Sequence, residues 1–146
     1  MKVQVKKLKR KSIIIGLAAV LIIVIIGGYL GWSYYIGHPS VEQVRDMTMA
    51  YIKAHHKETA QYMQSFSWTG KDITPEGFTG GRWYSYQSAG WNITIQYPVA
   101  LPPGSITIYS VTATYTSQVT PGEVIVSWQG TLQNGLITQT TYTFNP

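Results

Sequence analysis

The stretch SIIIGLAAVLIIVIIGGYLGWSYYI, residues 12–36, contains no charged side chain and sets the organisation of the whole chain. The 24 residues from Ile13 to Ile36 would measure about 36 Å as an α-helix, at ~1.5 Å per residue. That length covers the ~30 Å hydrocarbon core of a bilayer with some tilt. The stretch is longer than the roughly 7–15 apolar residues of a cleaved secretory signal, and no A-x-A cleavage pattern follows it. We therefore expect one uncleaved membrane-spanning helix, with the lipid bilayer as its partner.

The charges that flank this helix indicate its orientation, because Lys and Arg collect on the cytoplasmic side of a span. Among residues 37–50 only Arg45 is basic, whereas six basic side chains precede the span. They are Lys2, Lys6, Lys7, Lys9, Arg10 and Lys11. We expect residues 1–11 to form a basic cytoplasmic tail and residues 12–36 to cross the cell membrane once. Residues 37–146 would then form an extracytoplasmic domain.

The net charge of +5 belongs to the tail and not to the domain that follows the span. Residues 37–146 carry five basic and six acidic side chains, a net charge of −1. No basic surface for nucleic acid is therefore expected. The chain has no cysteine, which excludes disulfides, thiol catalysis and cysteine-ligated zinc. The outer domain must hold together by burial and hydrogen bonding, for which its length of about 110 residues suffices.

A second helix is predicted directly after the span. Pro39 cannot continue a helical hydrogen-bond ladder and restricts the residue before it. Ser40 is typical of an N-cap, and Gln43 three residues later completes a capping box. Apolar residues then recur with the helical period, which predicts one amphipathic helix of about six turns over residues 40–64. His55 lies in its apolar stripe, and we expect it to be a buried or half-buried histidine that hydrogen-bonds to the sheet.

Residues 65–146 have the composition of β-strands, rich in Thr, Ser, Tyr, Val and Ile. From Trp83 to Pro146 the only acidic or basic side chain is Glu123. Trp91–Tyr97 alternates apolar and polar residues, which is typical of a half-buried strand. Asn134-Gly135 is the strongest two-residue hairpin signal. We predict strands at 82–87, 91–97, 106–116, 124–133 and 136–144, and a short additional strand at 66–68. Residues 88–90 and 121–122 are predicted turns, 71–81 is a predicted loop, and Pro98 and residues 101–104 are expected to end the second of these strands.

One helix followed by about five antiparallel strands predicts an α+β fold, in which the amphipathic helix packs on one face of a meander. This order resembles that of cystatin-like and PepSY-like domains. The resemblance concerns the order of elements alone and implies no function. The alternative is an all-β sandwich on a helical stalk, which would need about seven strands.

The side chains with catalytic or metal-binding chemistry are few. His55 and His56 are adjacent, and neighbouring helical positions point about 100° apart, whereas a helical zinc site places His at i and i+4. Nucleophilic catalysis needs a nucleophile, a base and an orienting group, and beyond Arg82 only Glu123 is a carboxylate. We therefore expect no enzyme activity, no catalytic residue, no metal site and no cofactor.

Aromatic residues and one sequon mark the candidate surface sites. Strand alternation places Tyr84 and Tyr86 on one face of their strand and Trp83 on the other. One side of that strand is therefore expected to show rings to solvent. Asn92-Ile93-Thr94 is a glycosylation sequon. Asn92 lies on the polar face of its strand, which predicts a glycosylation site there.

Two functions fit these features. The first is a single-pass, membrane-anchored, non-catalytic module that binds another membrane or surface protein, or copies of itself. The second follows from Lys9-Arg10-Lys11-Ser12 and the isoleucines after it, a basic stretch, a small residue and a long apolar helix. This segment resembles the leader of type IV prepilins and archaeal pilins over about the first 36 residues. The resemblance implies cleavage between Ser12 and Ile13 and assembly of a filament, although Ser12 stands where that family usually has Gly or Ala.

Overall fold

The computed structural model of the protein describes residues 2–98 and 106–146. The chain forms two compact units, Met1–Ile36 and Gly37–Pro146. The strand-ending segment predicted at residues 101–104 lies outside the described residues.

The first unit is a single helix, α1, from Lys2 to Gly37. It includes basic residues of the segment 1–11, whose place in the cytoplasm stays a prediction. Within it, Arg10–Leu30 has a mean hydropathy of 2.9 and is long and apolar enough to cross a membrane. The helix ends directly before His38-Pro39, where the sequence predicts the break. The apolar N-terminal helix is thus confirmed as a candidate anchor.

The second unit opens with a helix, α2, from Val41 to His55. Both halves of the predicted capping box are present. The Ser40 hydroxyl accepts from the backbone N–H of Gln43 at 3.2 Å, and Gln43 Oε1 accepts from the backbone N–H of Ser40 at 2.8 Å. These bonds satisfy N–H groups that a helix start leaves unpaired. The buried stripe of α2 consists of Val44, Thr48, Met49 and Ile52.

The prediction of one helix over residues 40–64 was wrong at its end. α2 stops at His55, because His56 leaves the helical region with φ −128° and ψ 76°. The Thr59 hydroxyl donates to the His56 carbonyl at 2.7 Å, and such local side-chain bonds compete with the α-helical ladder. A separate 3-10 helix runs from Lys57 to Tyr62.

The rest of the second unit is one antiparallel sheet, in which every strand pairs with its neighbours in sequence. It has six strands, the five predicted and a short first strand. The first strand lies at residues 69–72 instead of 66–68 and includes the start of the loop predicted at 71–81. Helix and sheet together confirm the α+β class. The strands are β1 Thr69–Asp72, β2 Gly81–Ser88, β3 Trp91–Pro98, β4 Ile108–Thr116, β5 Val124–Gln133 and β6 Leu136–Phe144.

The hairpin between β5 and β6 confirms the strongest local prediction. Asn134 and Gly135 have φ 52° and 75°, and a type I′ turn requires positive φ at both central residues. The strand bounds match those predicted. A bulge between Gln129 and Gly130 shifts the register so that Thr140 has no opposite residue.

The sheet has two faces of different composition, because successive side chains of a strand point to opposite sides. The core face packs against α2 and forms one hydrophobic cluster with it. The sheet residues of this cluster include Trp91, Ile93, Ile95, Val111, Val126, Trp128 and Leu132. The outer face carries the alternate residues of the same strands. On β3, β4 and β5 these include Asn92, Thr94, Gln96, Ser110, Thr112, Thr114, Ser127, Gln129 and Thr131.

Candidate functional site

The outer edge of β6 is a hydrogen-bonding surface that no described strand covers. β6 is an edge strand of nine residues, LITQTTYTF, without a charge or a proline. The Asn145 N–H donates to the Ile125 carbonyl at 2.8 Å. The alternation of antiparallel pairs then directs the backbone groups of Tyr142 and Phe144 away from β5. Within the described residues no other backbone group pairs with that edge, so it is a template for a further strand.

The opposite edge, β1, is much less suited to pairing. It has four residues, and two of them are the charged Lys71 and Asp72. Short strands and edge lysines are devices by which proteins keep an edge from recruiting another chain. Of the two edges, β6 is therefore the candidate binding edge.

A hydrogen-bonded cluster holds the segment after α2 beside β6. Gln139 Oε1 accepts from Trp128 Nε1 at 3.0 Å and lies 2.5 Å from His56 Nε2. Because an indole N–H can only donate, the shared atom is the amide oxygen, and His56 Nε2 therefore carries a proton. The imidazole also stacks on the Tyr142 ring, with the ring centroids 3.5 Å apart.

Glu58 completes this cluster. The Tyr142 hydroxyl donates to Glu58 Oε1 at 2.5 Å, and the same oxygen lies 4.0 Å from His56 Nδ1. The bond from Tyr142 is the largest cause that lowers the pKa of the Glu58 carboxyl below 4.5. Burial, and then the bond to Glu58, raise the pKa of Tyr142. The polar atoms are thus satisfied by one another, and the arrangement fixes the 3-10 helix against β6.

The sequence pointed to the wrong histidine. His55 is exposed, stacks on the Tyr51 ring at 3.9 Å and bonds the Tyr51 carbonyl at 3.0 Å. His56 makes the bond to the sheet instead, because α2 ends between the two residues. Its partner Gln139 is 83 residues away in sequence. No local pattern indicates that pairing, and the nearness of Glu58 to His56 is the only sequence signal for the cluster.

The predicted aromatic surface is divided between the two faces of the sheet. Tyr86 is only 6% exposed, which corrects the expectation of an exposed ring. It is covered because Arg45 of α2 lies 5.0 Å from the ring centroid. Tyr84 is half-buried on the same face. Trp83 alone lies on the outer face, where Phe78 meets it edge-on at 6.0 Å.

The outer face offers uncharged hydrogen-bonding groups around the sequon. Asn92 is half-buried between Gln87 and Thr114, near the start of β3. Its Oδ1 accepts from the Ser85 hydroxyl at 3.0 Å. Glycosylation at Asn92 stays a prediction. A shallow groove of about 250 Å³ on the same face is lined by Gln96, Ser110, Thr112, Gln129, Thr131 and Thr140.

The predicted leader cleavage position lies inside α1, where Ser12 and Ile13 are both exposed. In the described ranges, 2–98 and 106–146, no three His, Asp or Glu side chains form a group that could hold a metal ion. Comparisons of the chain with protein-family models, curated proteins and solved structures find no match. Function is therefore inferred from the apolar helix, the β6 edge and the two faces of the sheet.

Proposed function

We propose that the protein is a single-pass cell-membrane protein, with a cytoplasmic N-terminus, whose extracytoplasmic domain binds a protein partner and performs no catalysis. The observation that carries this proposal is the apolar helix Arg10–Leu30, with a mean hydropathy of 2.9, joined to a domain with one open strand edge. The excess of basic residues before the helix supports the orientation.

The binding mode that the domain favours is addition of a strand at β6. An extended segment of the partner would pair with the outward backbone groups of Tyr142 and Phe144. Main-chain hydrogen bonds give affinity in this mode, and alternate side chains give specificity. The side chains of Thr141 and Thr143 are exposed on the outer face and would contact every second residue of the partner strand.

The partner in this proposal is a different surface protein. A second copy of this chain would have to offer β6 one of its own two sheet edges, β1 or β6. Since the six strands alternate in direction, β6 and β1 run antiparallel, and copies repeated side by side along the sheet would pair β6 with β1. The four residues and two charges of β1 make that contact weak.

Topology is tested by single cysteines, which the chain permits because it has none of its own. Thr120→Cys should react with an impermeant maleimide on whole cells, and Val5→Cys should not. Labelling in the opposite pattern would overturn the orientation.

The binding edge is tested by photo-crosslinking in cells. A photoreactive residue at Thr141 of β6 should give one crosslinked species, and the same residue at Thr112 of central β4 should not. Thr143→Lys should abolish the crosslink, while Thr114→Lys adds the same charge to the same face away from the edge and should retain it. A product with twice the mass of the chain would identify a second copy and refute a different protein as partner. Equal crosslinking from Thr141 and Thr112 would refute the edge.

A pilin-like filament subunit is the second candidate. Its support is that α1 is continuous from Lys2 to Gly37 and that its apolar side chains are exposed, Ile13 by 61%. Intact mass of the protein from membranes separates the two functions. A mature chain that begins at Ile13 would favour the filament and exclude the simple anchor. The likeness of the element order to cystatin-like and PepSY-like domains remains a prediction and distinguishes neither function.

A further inference from the structure

Exposed apolar side chains of the second unit concentrate at one end of the sheet. This end, where β1, β3 and β5 finish and β2, β4 and β6 begin, is called the entry end. Seven large apolar side chains in the described part of the unit are exposed, and five of them lie here. These five, the apolar rim, are Leu136 at 70%, Ile106 at 47%, Ile108 at 46%, Phe78 at 44% and Ile73 at 38% exposure.

The strand register places two of the rim residues side by side on the outer face of the sheet. Ile108 and Leu136 both pair with Gln133 and therefore share a row on the outer face. Across the sheet, the Ile73 N–H donates to the Trp83 carbonyl at 2.8 Å. Phe78 meets the same tryptophan. Single exposed apolar residues are common on protein surfaces, but a concentration of them at one end of the sheet indicates a contact surface.

The chain also enters the domain at this end. The Tyr109 hydroxyl donates to the Pro39 carbonyl at 2.6 Å, and Tyr109 is the second residue of β4. Pro39 follows Ile36 by three residues. Residues 12–36, which we propose to lie in the bilayer, are therefore connected to the domain at its entry end. At the far end, Val119 is 90% exposed and has Glu123 nearby in sequence.

We propose that the apolar rim lies in the headgroup layer of the bilayer and fixes the domain on the membrane surface. The inference rests on the proposed membrane anchor. Aliphatic and aromatic side chains bind the boundary between headgroups and acyl chains through their buried apolar area. None of the five rim side chains is charged, so a zwitterionic bilayer suffices as the ligand.

The test uses the full chain in nanodiscs of phosphatidylcholine, with an environment-sensitive fluorophore on single cysteines. Leu136→Cys and Ile108→Cys report on the rim. Val119→Cys is the matched control, since it is an exposed apolar position at the far end. Leu21→Cys reports on the anchor itself. Brominated lipids quench a label in the bilayer, and iodide quenches a label in water.

The rim labels should emit at shorter wavelength than the Val119 label, with severalfold stronger quenching by brominated lipid and severalfold weaker quenching by iodide. If the Leu21 label is in lipid while the rim labels are quenched by iodide like Val119, the rim inference is refuted and the anchor stands. If the rim labels are shielded from both quenchers, protein covers the rim and the inference is likewise refuted. If iodide quenches the Leu21 label, the proposed membrane anchor itself is refuted.

Discussion

The two faces of the sheet are built from the same strands and have opposite compositions. The core face holds Trp91, Ile93 and Trp128, all with at most 1% exposure. The outer face holds mostly Thr, Ser, Asn and Gln at the alternate positions, with the apolar Ile108 and Leu136 at the entry end. Lys71 of β1 is its charged side chain in the described strands. The core face therefore supplies the burial that stabilises the fold. The outer face is left for solvent, a glycan or a partner, and its changes should leave the fold intact.

The largest expected effect comes from Trp128→Ala on the core face. Trp128 is fully buried, and its indole N–H donates to Gln139. Truncation of a buried large aromatic residue costs about 3–5 kcal/mol. We expect a loss of that size in the free energy of unfolding of the full chain in detergent, measured by denaturant titration with circular dichroism.

The matched control for Trp128→Ala is Thr112→Ala. Thr112 lies on the outer face, and the residue after it, Ala113, is the Cα partner of Trp128. A surface substitution of this kind changes stability by no more than about 0.5 kcal/mol. Similar losses at the two positions would show that both faces are packed, which would contradict the comparison.

A smaller loss is expected from Gly130→Ala, which adds a methyl group under the Trp128 ring. A Cβ at this position would lie 2.5 Å from Trp128 Cη2 and 2.6 Å from the Thr138 carbonyl oxygen. Overpacking of this kind costs about 1–3 kcal/mol. The same denaturant titration measures it. Gly80→Ala is the control, because its Cβ would approach nothing closer than 3.4 Å, and an equal loss there would exclude the clash as the cause.

Local features of the fold could be predicted from the sequence, and distant contacts could not. The capping box of Ser40 and Gln43 and the hairpin at Asn134-Gly135 depend on residues within four positions of one another, so both predictions are confirmed. The burial of Tyr86 depends on where Arg45 of α2 comes to lie, which no strand pattern contains. Strand alternation predicts correctly which face of the sheet carries the Tyr86 ring. It contains no information on whether another element covers that face.

The candidate site was predicted less well for the same physical reason. The helical period continues beyond residue 55, while the chain leaves the α-helix at His56, so the helical wheel assigned the packed position to His55. The edge position of β6 follows from a meander order that the sequence does predict. The side chains that hydrogen-bond to β6 could not be predicted in this way, because Glu58 and Tyr142 are 84 residues apart in the sequence.

The smallest effect is expected at the boundary between the two faces, from Tyr142→Phe. The change removes the hydroxyl that donates to Glu58 and keeps the ring that stacks on His56. Because that bond is the largest cause of the lowered pKa of Glu58, the Phe variant should show a higher pKa for this carboxyl. A carboxyl whose pKa is lower in the folded state stabilises the fold above its unfolded pKa, and this stabilisation is lost as the pH falls through the folded pKa. The thermal unfolding midpoint of the variant should therefore lie below that of the wild type at neutral pH, and the difference should shrink as the pH falls below about 4.5.

Glu58→Gln should remove the same acid dependence, since an amide does not titrate, whereas Tyr51→Phe, whose ring contacts His55 and Trp128, should retain it. A constant difference between wild type and Tyr142→Phe across the acidic range would mean that the hydroxyl acts on the fold without Glu58.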